Sequence, residues 1–285
     1  MMLKDFIHRL IQKPEGLSAS EMKSATEIIL SGKALEVETA SFLTALSMRP
    51  VTPEQLQAVT EVLMAHAILL DGLEDAFDCC GTGGDGLHTL NISTAVSFCL
   101  AGCGVRVAKH GNRAASSQCG AADVLEECGI ALIADTGFLR HTLATLGYAF
   151  LMAPHHHPSL RHLSPIRKAL GFRTLFNLTG PLVNPAGTKT QLIGTYSEAA
   201  QDLLAQTIAL SHDRKAWVVT SADGMDELSL AAPAYIHASD GKKWVWQAED
   251  FGLSPAPLEA IQGGDAAYNA AALMRLFNGE PGAYH

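Results

Sequence analysis

The sequence predicts an α/β fold in which a small N-terminal helical domain precedes a larger α/β domain with a mainly parallel central sheet. Two observations support this: residues 1–72 carry helix signals throughout, whereas residues 73–285 alternate short apolar strands with helices. With 285 residues, of which 48% are hydrophobic and 17% charged, the chain can bury a full core and has an ordinary globular composition. We expect part of residues 158–190 to pack against the helical domain and complete it.

Helix start and stop signals define the first domain. The residues from Ser18 form a Ser-Ala-Ser-Glu capping box, and Gly32 ends the helix that begins there. Thr52 and Pro53 open a later helix, because a hydroxyl cap followed by proline at the first helical position favours a helix start. Its apolar residues recur at helical spacing, and we expect it to end near Asp71.

Short apolar runs predict the strands of the second domain. Helical segments separate these runs, which cover residues 77–80, 105–108, 148–152, 192–196 and 217–220. In a parallel sheet, ligands bind at the carboxyl ends of the strands. We therefore expect three polar segments that follow predicted strands to meet at one edge of the sheet: the glycine run at 80–86, Lys109-His110 and residues 222–227.

The run from Cys80 to Gly86, Cys-Gly-Thr-Gly-Gly-Asp-Gly, is suited to hold phosphate. Its glycines allow tight turns with exposed backbone N–H groups, and the helix expected to start at Asn91 and Ser93 adds unpaired donors and a positive dipole end. Asp85 repels phosphate unless a metal ion or a sugar hydroxyl lies between them, which favours a sugar phosphate with Mg²⁺. A tight turn without a ligand is the alternative. The run matches neither the dinucleotide fingerprint nor the nucleoside-triphosphatase loop.

The segment from Lys109 to Ser117 concentrates a cation, an amide and hydroxyls directly after an apolar strand. Lys109 supplies a point charge and the pair Ser116 and Ser117 supplies short donors, the combination that a phosphate group needs. Asn112 is suited to bind a neutral or carboxylate group beside it. A solvated basic loop is the alternative interpretation.

Asp226 and Glu227 follow the strand predicted at 217–220. Adjacent carboxylates raise each other's pKa unless a hard cation or a base lies between them. The pair therefore indicates a Mg²⁺ site near Ser93 and Asp85. A helix cap is the alternative for the two acidic residues.

Arg167 lies on a predicted helix beyond three consecutive histidines, His155 to His157. An arginine that faces a pocket binds a carboxylate through two parallel hydrogen bonds, whereas an arginine on a polar helix face meets only solvent; the spacing leaves both open. Neighbouring side chains at an irregular strand end point apart, so the histidines do not favour a metal site.

Composition limits the partners and the location. The net charge of −9 disfavours a nucleic-acid partner, although a local basic pocket could still bind a small polyanion. No apolar run reaches membrane length and no signal-peptide core precedes the first helix, so we expect no membrane partner and a cytoplasmic location. The six cysteines lie between residues 79 and 128 without a C-x-x-C arrangement, and we expect small buried hydrophobes rather than zinc ligands.

These motifs, taken in order, resemble the anthranilate phosphoribosyltransferase family, whose members join anthranilate to phosphoribosyl pyrophosphate in tryptophan biosynthesis. The similarity runs from the N-terminal helices to the last residue and rests on residues 81–85, 91–94, 109–117 and 226–227. Each motif alone is weak, whereas the ordered set is specific. The resemblance implies a Mg²⁺-dependent pentosyltransferase, the fold shared with pyrimidine nucleoside phosphorylases, and a homodimer formed through the helical domain.

The resemblance also implies roles for individual residues. The expected phosphoribosyl pyrophosphate contacts are Gly81, Gly84, Asp85, Thr89, Asn91, Ser93, Thr94, Lys109, Ser116 and Ser117. The expected anthranilate contacts are Gly81, His110, Asn112 and Arg167, and the expected Mg²⁺ ligands are Ser93, Asp226 and Glu227. Because the arriving amine is neutral, positioning and stabilisation of the leaving pyrophosphate suffice, and His110 is the only evident candidate for a base.

Two departures from the family pattern stand out. Ala121 lies where a serine is expected, so a methyl group replaces one phosphate-binding hydroxyl, at a cost of about 1–3 kcal/mol if nothing compensates. The chain ends at His285, where further helical segments are expected, which predicts either a shortened form or a sequence that ends early. Two rival functions are a pyrimidine nucleoside phosphorylase, which would bind inorganic phosphate in place of pyrophosphate, and a non-catalytic relative that binds nucleic acid.

Overall fold

The first helices pack together, and two of them start where the sequence signals lie. In the computed structural model, which describes residues 1–114 and 118–285, they are α1 (Leu3–Gln12), α2 (Ala19–Leu30), α3 (Glu36–Ser47) and α4 (Pro53–Ala65). The hydroxyls of Ser18 and Thr52 accept hydrogen bonds from backbone N–H groups in the first turns of α2 and α4. Both predicted helix starts are confirmed.

The helix α4 ends at Ala65 rather than near Asp71, so its predicted end is wrong. The backbone N–H of Ile68 donates to the His156 carbonyl. That of Leu70 donates to the Pro185 carbonyl. Hydrogen bonds to distant segments therefore replace the helical ones once α4 has ended.

A central sheet forms the middle of the second domain. Its strands are β1 (Phe77–Cys79), β2 (Val107–Gly111), β3 (Tyr148–Met152), β4 (Thr190–Gly194), β5 (Lys215–Ser221), β6 (Ala234–Ala238) and β7 (Lys243–Trp246). They lie in the order β3-β2-β1-β4-β5-β6-β7. All pairs from β3 to β5 are parallel, which confirms the predicted mainly parallel sheet, whereas β6 and β7 add an antiparallel edge that was not expected.

Lys109 and His110 lie within β2, which corrects the expectation that they follow the strand. Successive side chains of a strand point to opposite faces of the sheet, so the two side chains diverge. Lys109 reaches the carbonyl of Cys79, next to the glycine run, and His110 reaches the carbonyl of Gly180. Their place in the strand therefore assigns the two residues to different parts of the site.

The remaining helices connect the strands and return once to the first domain. They are α5 (Ile92–Gly102), α6 (Ala121–Glu127), α7 (Thr136–Leu146), α8 (Ala153–His156), α9 (Leu163–Leu170), α10 (Phe176–Thr179), α11 (Glu198–Ala209) and α12 (Ala266–Phe277). Leu163 of α9 and Phe176 of α10 share a buried apolar cluster with Phe6 and Leu56. The domain boundary at residue 72 stays a prediction.

Two of the cysteines lie at the surface, contrary to the expectation from the sequence. Cys79 and Cys119 are buried, but Cys99 and Cys103 are exposed, so not all cysteines are small buried hydrophobes. The two exposed thiols lie four residues apart, at the end of α5, and therefore share one outward face there. No helix within the described ranges is long and apolar enough to cross a membrane.

Candidate active site

A cleft lies at the carboxyl ends of β1, β4 and β5, where three of the sequence motifs meet. Its cavity of about 230 Å³ is lined by residues from the glycine run, the start of α5 and the segment after β5, including Gly81, Ser93, Asp226 and Glu227. Parallel strands that end at one edge bring these segments together although they are far apart in sequence.

The glycine loop, residues 80–86, has the backbone conformation of an anion cradle. Three of its glycines have φ values of 64°, 77° and 80°, which residues with side chains rarely adopt. The Gly83 N–H donates to Asp226 Oδ2 at 3.1 Å. An added Cβ at Gly81 would lie 2.7 Å from the same oxygen. The loop therefore needs glycine both for its turns and for its close contact with Asp226.

The N-terminus of α5 is held by two side chains from other elements. The Ser93 N–H donates to Glu227 Oε1 at 3.2 Å. Lys109, only 2% exposed, donates from Nζ to the Cys79 carbonyl and to Ser93 Oγ, the latter at 3.3 Å. A buried ammonium group and the positive end of a helix therefore lie together at the cleft, which favours an anionic ligand.

Asp226 and Glu227 place negative charge in the same cleft. Burial, together with repulsion between neighbouring carboxylates, raises the pKa of both groups. The described residues hold no cluster of three His, Cys, Asp or Glu side chains that could cage a metal by themselves. Mg²⁺ is usually bound by one or two carboxylates together with substrate phosphates, so this pair fits Mg²⁺ when a phosphate ligand is present.

His110 is a buried and neutral histidine, 3% exposed. Burial, with a smaller effect from His157, lowers its pKa to about 3. Because the Gly180 carbonyl accepts from Nδ1 at 3.0 Å, the ring proton is on Nδ1 and Nε2 carries the lone pair. Nε2 has no hydrogen-bond partner among the described residues. His110 can therefore accept a hydrogen bond but is too weak a base to hold a proton near pH 7.

The variant His110→Gln tests this ionisation. A histidine whose folded pKa lies below its unfolded value contributes stability that is present above about pH 6.5 and is lost as the pH falls, because the unfolded chain binds the proton. We expect His110→Gln to reduce the loss of unfolding free energy between pH 7 and pH 5 by about 2 kcal/mol, measured by urea denaturation. His141→Gln, at an exposed histidine of α7, is the control. If both variants keep the wild-type acid sensitivity, His110 is protonated in the folded state.

Three further residues predicted to contact phosphate do not line this cavity. Asp85 Oδ1 accepts from the Leu87 N–H at 3.2 Å, and Thr89 forms an isolated β-bridge with Gln262. Thr94 is fully buried, and its hydroxyl has no hydrogen-bond partner in the described ranges. A contact between ligand and the Thr94 side chain therefore requires a rearrangement.

The residues expected to bind anthranilate are less closely gathered. Asn112 is exposed, and its Oδ1 accepts from the Arg113 N–H at 2.8 Å. Arg167 is half-buried on α9; burial alone lowers its pKa, and no described carboxylate pairs with it. A half-buried guanidinium without a counter-charge is a suitable partner for an anionic ligand. Ser116 and Ser117, which are expected to contact phosphoribosyl pyrophosphate rather than anthranilate, lie outside the described residues.

Two residues at the glycine loop were not expected from the sequence. The Arg173 guanidinium lies over the Tyr196 ring, 3.8 Å from its centroid, and its Nη2 donates to the Gly84 carbonyl. The contact holds the peptide after Gly84, which glycine geometry alone would leave free to turn. No local motif surrounds Arg173, so only the fold relates it to the loop.

Known proteins share both the sequence and the fold. The chain matches a glycosyl transferase family, with its helical bundle domain over residues 4–67 and its a/b domain over residues 73–285. The anthranilate phosphoribosyltransferase of Erythrobacter litoralis is 46% identical over 271 residues, covering 94% of this chain and 82% of the relative.

Solved structures agree with this match. The anthranilate phosphoribosyltransferase of Thermus thermophilus has a TM-score of 0.90 at 36% identity, covering 98% of this chain and 83% of that one. The Saccharomyces cerevisiae enzyme in complex with phosphoribosyl pyrophosphate and Mg has a TM-score of 0.90 at 27% identity. The match covers 96% of this chain and 80% of that one. The fold class and the resemblance predicted from the motifs are both confirmed, and the chain belongs to the anthranilate phosphoribosyltransferase family.

Proposed function

We propose that this protein is an anthranilate phosphoribosyltransferase, a pentosyltransferase that moves the phosphoribosyl group of phosphoribosyl pyrophosphate to the amine of anthranilate. The observation that carries the proposal is the hydrogen-bonded assembly of the glycine loop, the start of α5 and the Asp226-Glu227 pair around one cavity. In this assembly, a buried ammonium group and the positive end of α5 lie close to two carboxylates, which accept from the Gly83 and Ser93 N–H groups. A pyrophosphate that binds together with a divalent cation needs both.

Ser93, Asp226 and Glu227 would hold Mg²⁺ in this assembly. Their oxygen atoms are the hard ligands that the ion prefers. Burial, together with repulsion between neighbouring carboxylates, raises the pKa of the two carboxyls, and a cation would relieve the repulsion. When bound with the substrate, the ion offsets the negative charge of the pyrophosphate.

The main catalytic requirement is to stabilise the charge that develops on the leaving pyrophosphate. The bond between the anomeric carbon of the ribose and the pyrophosphate oxygen breaks, and its electron pair leaves with pyrophosphate while the anthranilate nitrogen bonds to the same carbon. The buried Lys109 ammonium and the positive end of α5 are in place before the reaction and stabilise the developing charge electrostatically. The proton lost by the amine passes to pyrophosphate or water, since His110 is too weak a base to keep it.

The acceptor needs orientation rather than activation. The Arg167 guanidinium, without a described counter-charge, suits the carboxylate of anthranilate. His110 Nε2 carries a lone pair but is buried, so it can accept an N–H bond of the amine only after a rearrangement. Asn112 adds an amide at the end of β2. Fixing the amine in an attacking position removes much of the entropic part of the barrier.

The direct experiment mixes the protein with Mg²⁺, phosphoribosyl pyrophosphate and anthranilate and follows the loss of anthranilate fluorescence. We expect a loss that depends on all three additions. A protein that leaves anthranilate unchanged and cleaves thymidine in the presence of phosphate would instead be a nucleoside phosphorylase of this fold. The Asp226-Glu227 pair favours the transferase, because phosphorolysis needs no such pair of carboxylates.

Arg167→Met should raise the KM for anthranilate about 10- to 100-fold, because hydrogen bonds to a charged group contribute about 1.5–3 kcal/mol. The KM for phosphoribosyl pyrophosphate should stay unchanged in steady-state kinetics. Lys168→Met removes an exposed cation from the next position of α9 and should affect neither KM. Equal rises in both KM values for Arg167→Met would exclude a selective role in anthranilate binding.

We also propose a cytoplasmic homodimer that forms through the first domain. The helices α1 and α3 pack against each other, and they carry or adjoin the exposed apolar side chains Ile11, Val37 and Met48. A partner that covered these side chains would remove their apolar surface from water. Sedimentation velocity distinguishes the dimer from a monomer.

A further inference from the structure

Asn91 precedes α5 as its N-cap residue, but its side chain does not cap the helix. A capping asparagine usually accepts a hydrogen bond from a backbone N–H of the first turn, and here that bond is not formed. Asn91 Oδ1 instead accepts from Asn269 Nδ2 at 2.9 Å, across 178 residues of sequence. The orientation of the Asn91 side chain therefore depends on Asn269 rather than on its own helix.

The direction of the Asn269 carboxamide follows from its hydrogen bond with a backbone N–H group. The backbone N–H of Gly264 donates to Asn269 Oδ1 at 2.8 Å, and a backbone N–H can only donate. The oxygen of Asn269 must therefore face Gly264, and its NH₂ group must face Asn91. Asn91 must in turn present its oxygen to Asn269 and direct its own NH₂ group elsewhere.

Asn269 is held firmly enough to impose this orientation. It lies on α12 and is only 3% exposed. The segment before α12 is docked against the residues before Asn91, since the Gly263 N–H donates to the His88 carbonyl at 2.9 Å. An added Cβ at Gly263 would lie 2.6 Å from the Thr89 carbonyl oxygen, which shows how closely the two backbones approach. The two asparagines therefore join segments that are already fixed to each other.

The NH₂ group of Asn91 is available to a ligand. It has no hydrogen-bond partner in the described part of the chain, and the next two residues, Ile92 and Ser93, line the cleft. A donor at this place suits phosphate and hydroxyl oxygens. The opposite amide orientation would direct a carbonyl oxygen at them and repel an anion.

We propose that Asn269 is a positioning residue for phosphoribosyl pyrophosphate, because it fixes the amide orientation in which Asn91 donates to the substrate. The proposal rests on the proposed function, which supplies the identity of the ligand. It extends the site to α12, although Asn269 itself does not line the cavity.

The variant Asn269→Asp is the test, because it keeps the shape of the side chain. One carboxylate oxygen still accepts from Gly264, but the other can only accept from Asn91, whose amide must turn over and present its oxygen to the substrate. We expect the Kd of phosphoribosyl pyrophosphate, measured by calorimetry with Mg²⁺, to rise about 10- to 100-fold. Asn278→Asp, at the exposed end of α12, is the matched control and should leave this Kd unchanged.

A double-mutant cycle separates positioning from a general structural effect. In a protein that carries Asn91→Ala, the change Asn269→Asp should not raise the Kd further, because no amide is left to orient. An undiminished effect in that background, or an unchanged Kd for Asn269→Asp alone, overturns the proposal. If Asn269→Asp does not fold, Asn91→Asp replaces it: one oxygen still accepts from Asn269 while the other meets the substrate as an acceptor. The Kd should again rise, and an unchanged Kd overturns the proposal.

Binding and turnover distinguish this proposal from the proposed function. If the wild-type protein binds phosphoribosyl pyrophosphate but does not transfer it to anthranilate, the proposed function is wrong, and the Kd values alone decide the role of Asn269. If the wild-type protein does not bind phosphoribosyl pyrophosphate, both proposals are wrong.

Discussion

Replacing Asp226 by Asn and Glu227 by Gln in one protein is expected to lower kcat about 10³-fold at saturating Mg²⁺. The amides keep the size of the carboxylates and leave oxygen acceptors for the N–H groups of Gly83 and Ser93, now at 3.1 and 3.2 Å. What is lost is the negative charge that would hold a cation beside the leaving pyrophosphate. Because burial and repulsion raise the pKa of both carboxyls, their ionised forms destabilise the fold at neutral pH. In the absence of Mg²⁺, the variant should therefore be at least as stable as the wild type.

Two measurements check this expectation, the fluorescence assay for kcat and thermal unfolding with and without Mg²⁺. The variant with Glu249→Gln and Glu259→Gln removes two exposed carboxylates elsewhere and should leave turnover unchanged. A protein with both Asp226→Asn and Glu227→Gln that keeps its kcat at saturating Mg²⁺ would contradict the assignment of these residues as metal ligands.

Gly194→Ala is expected to disrupt the same site from the strand side. β4 ends at Gly194, where an added Cβ would lie 1.8 Å from the carbonyl oxygen of Asp226. Neither side of this contact yields easily, because Gly194 pairs with Val219 of β5 and the opposing atom belongs to the backbone. We expect the unfolding free energy to fall by about 3 kcal/mol, as in an overpacked core. We expect kcat/KM to fall at least about 10²-fold, since a misplacement near 1 Å costs that much.

Gly102→Ala is the matched control for this substitution. Gly102 ends α5, does not have a positive φ, and has no atom within 4 Å of an added Cβ. Alanine should leave kcat/KM unchanged there and stabilise the protein by about 0.5–1 kcal/mol, because glycine in a helix loses more conformational freedom on folding. Urea denaturation and the fluorescence assay compare the two variants. Wild-type stability and turnover in Gly194→Ala would show that the Asp226 segment moves aside without consequence.

The features that could be predicted are those whose partners lie close in sequence. Ser18 and Thr52 start helices because each caps an N–H group three residues ahead. The glycine loop was predicted as an anion cradle because glycine itself permits its turns, and the three left-handed φ values agree with that reason. Short apolar runs between helices predicted the parallel strands, since this alternation itself favours a parallel sheet.

The features that could not be predicted depend on distant partners. α4 ends early because Ile68 donates to the carbonyl of His156 rather than to its own helix. Arg173 meets the glycine loop through the carbonyl of Gly84, which any residue could offer. Cys99 and Cys103 are exposed because of the face of α5 on which they lie. In each case the deciding contact has no signature in the neighbouring residues.

The sequence alone determined the fold class, the family resemblance and the residue types of the site. It could do so because capping, glycine turns and apolar periodicity act within short stretches of chain. Only the tertiary structure decided which of these residues meet. Gly83 binds Asp226 across 143 residues, Ser93 binds Glu227 across 134, and Asn91 takes its orientation from Asn269 across 178. Contacts over such separations depend on how whole strands and helices pack, and no local pattern carries that information.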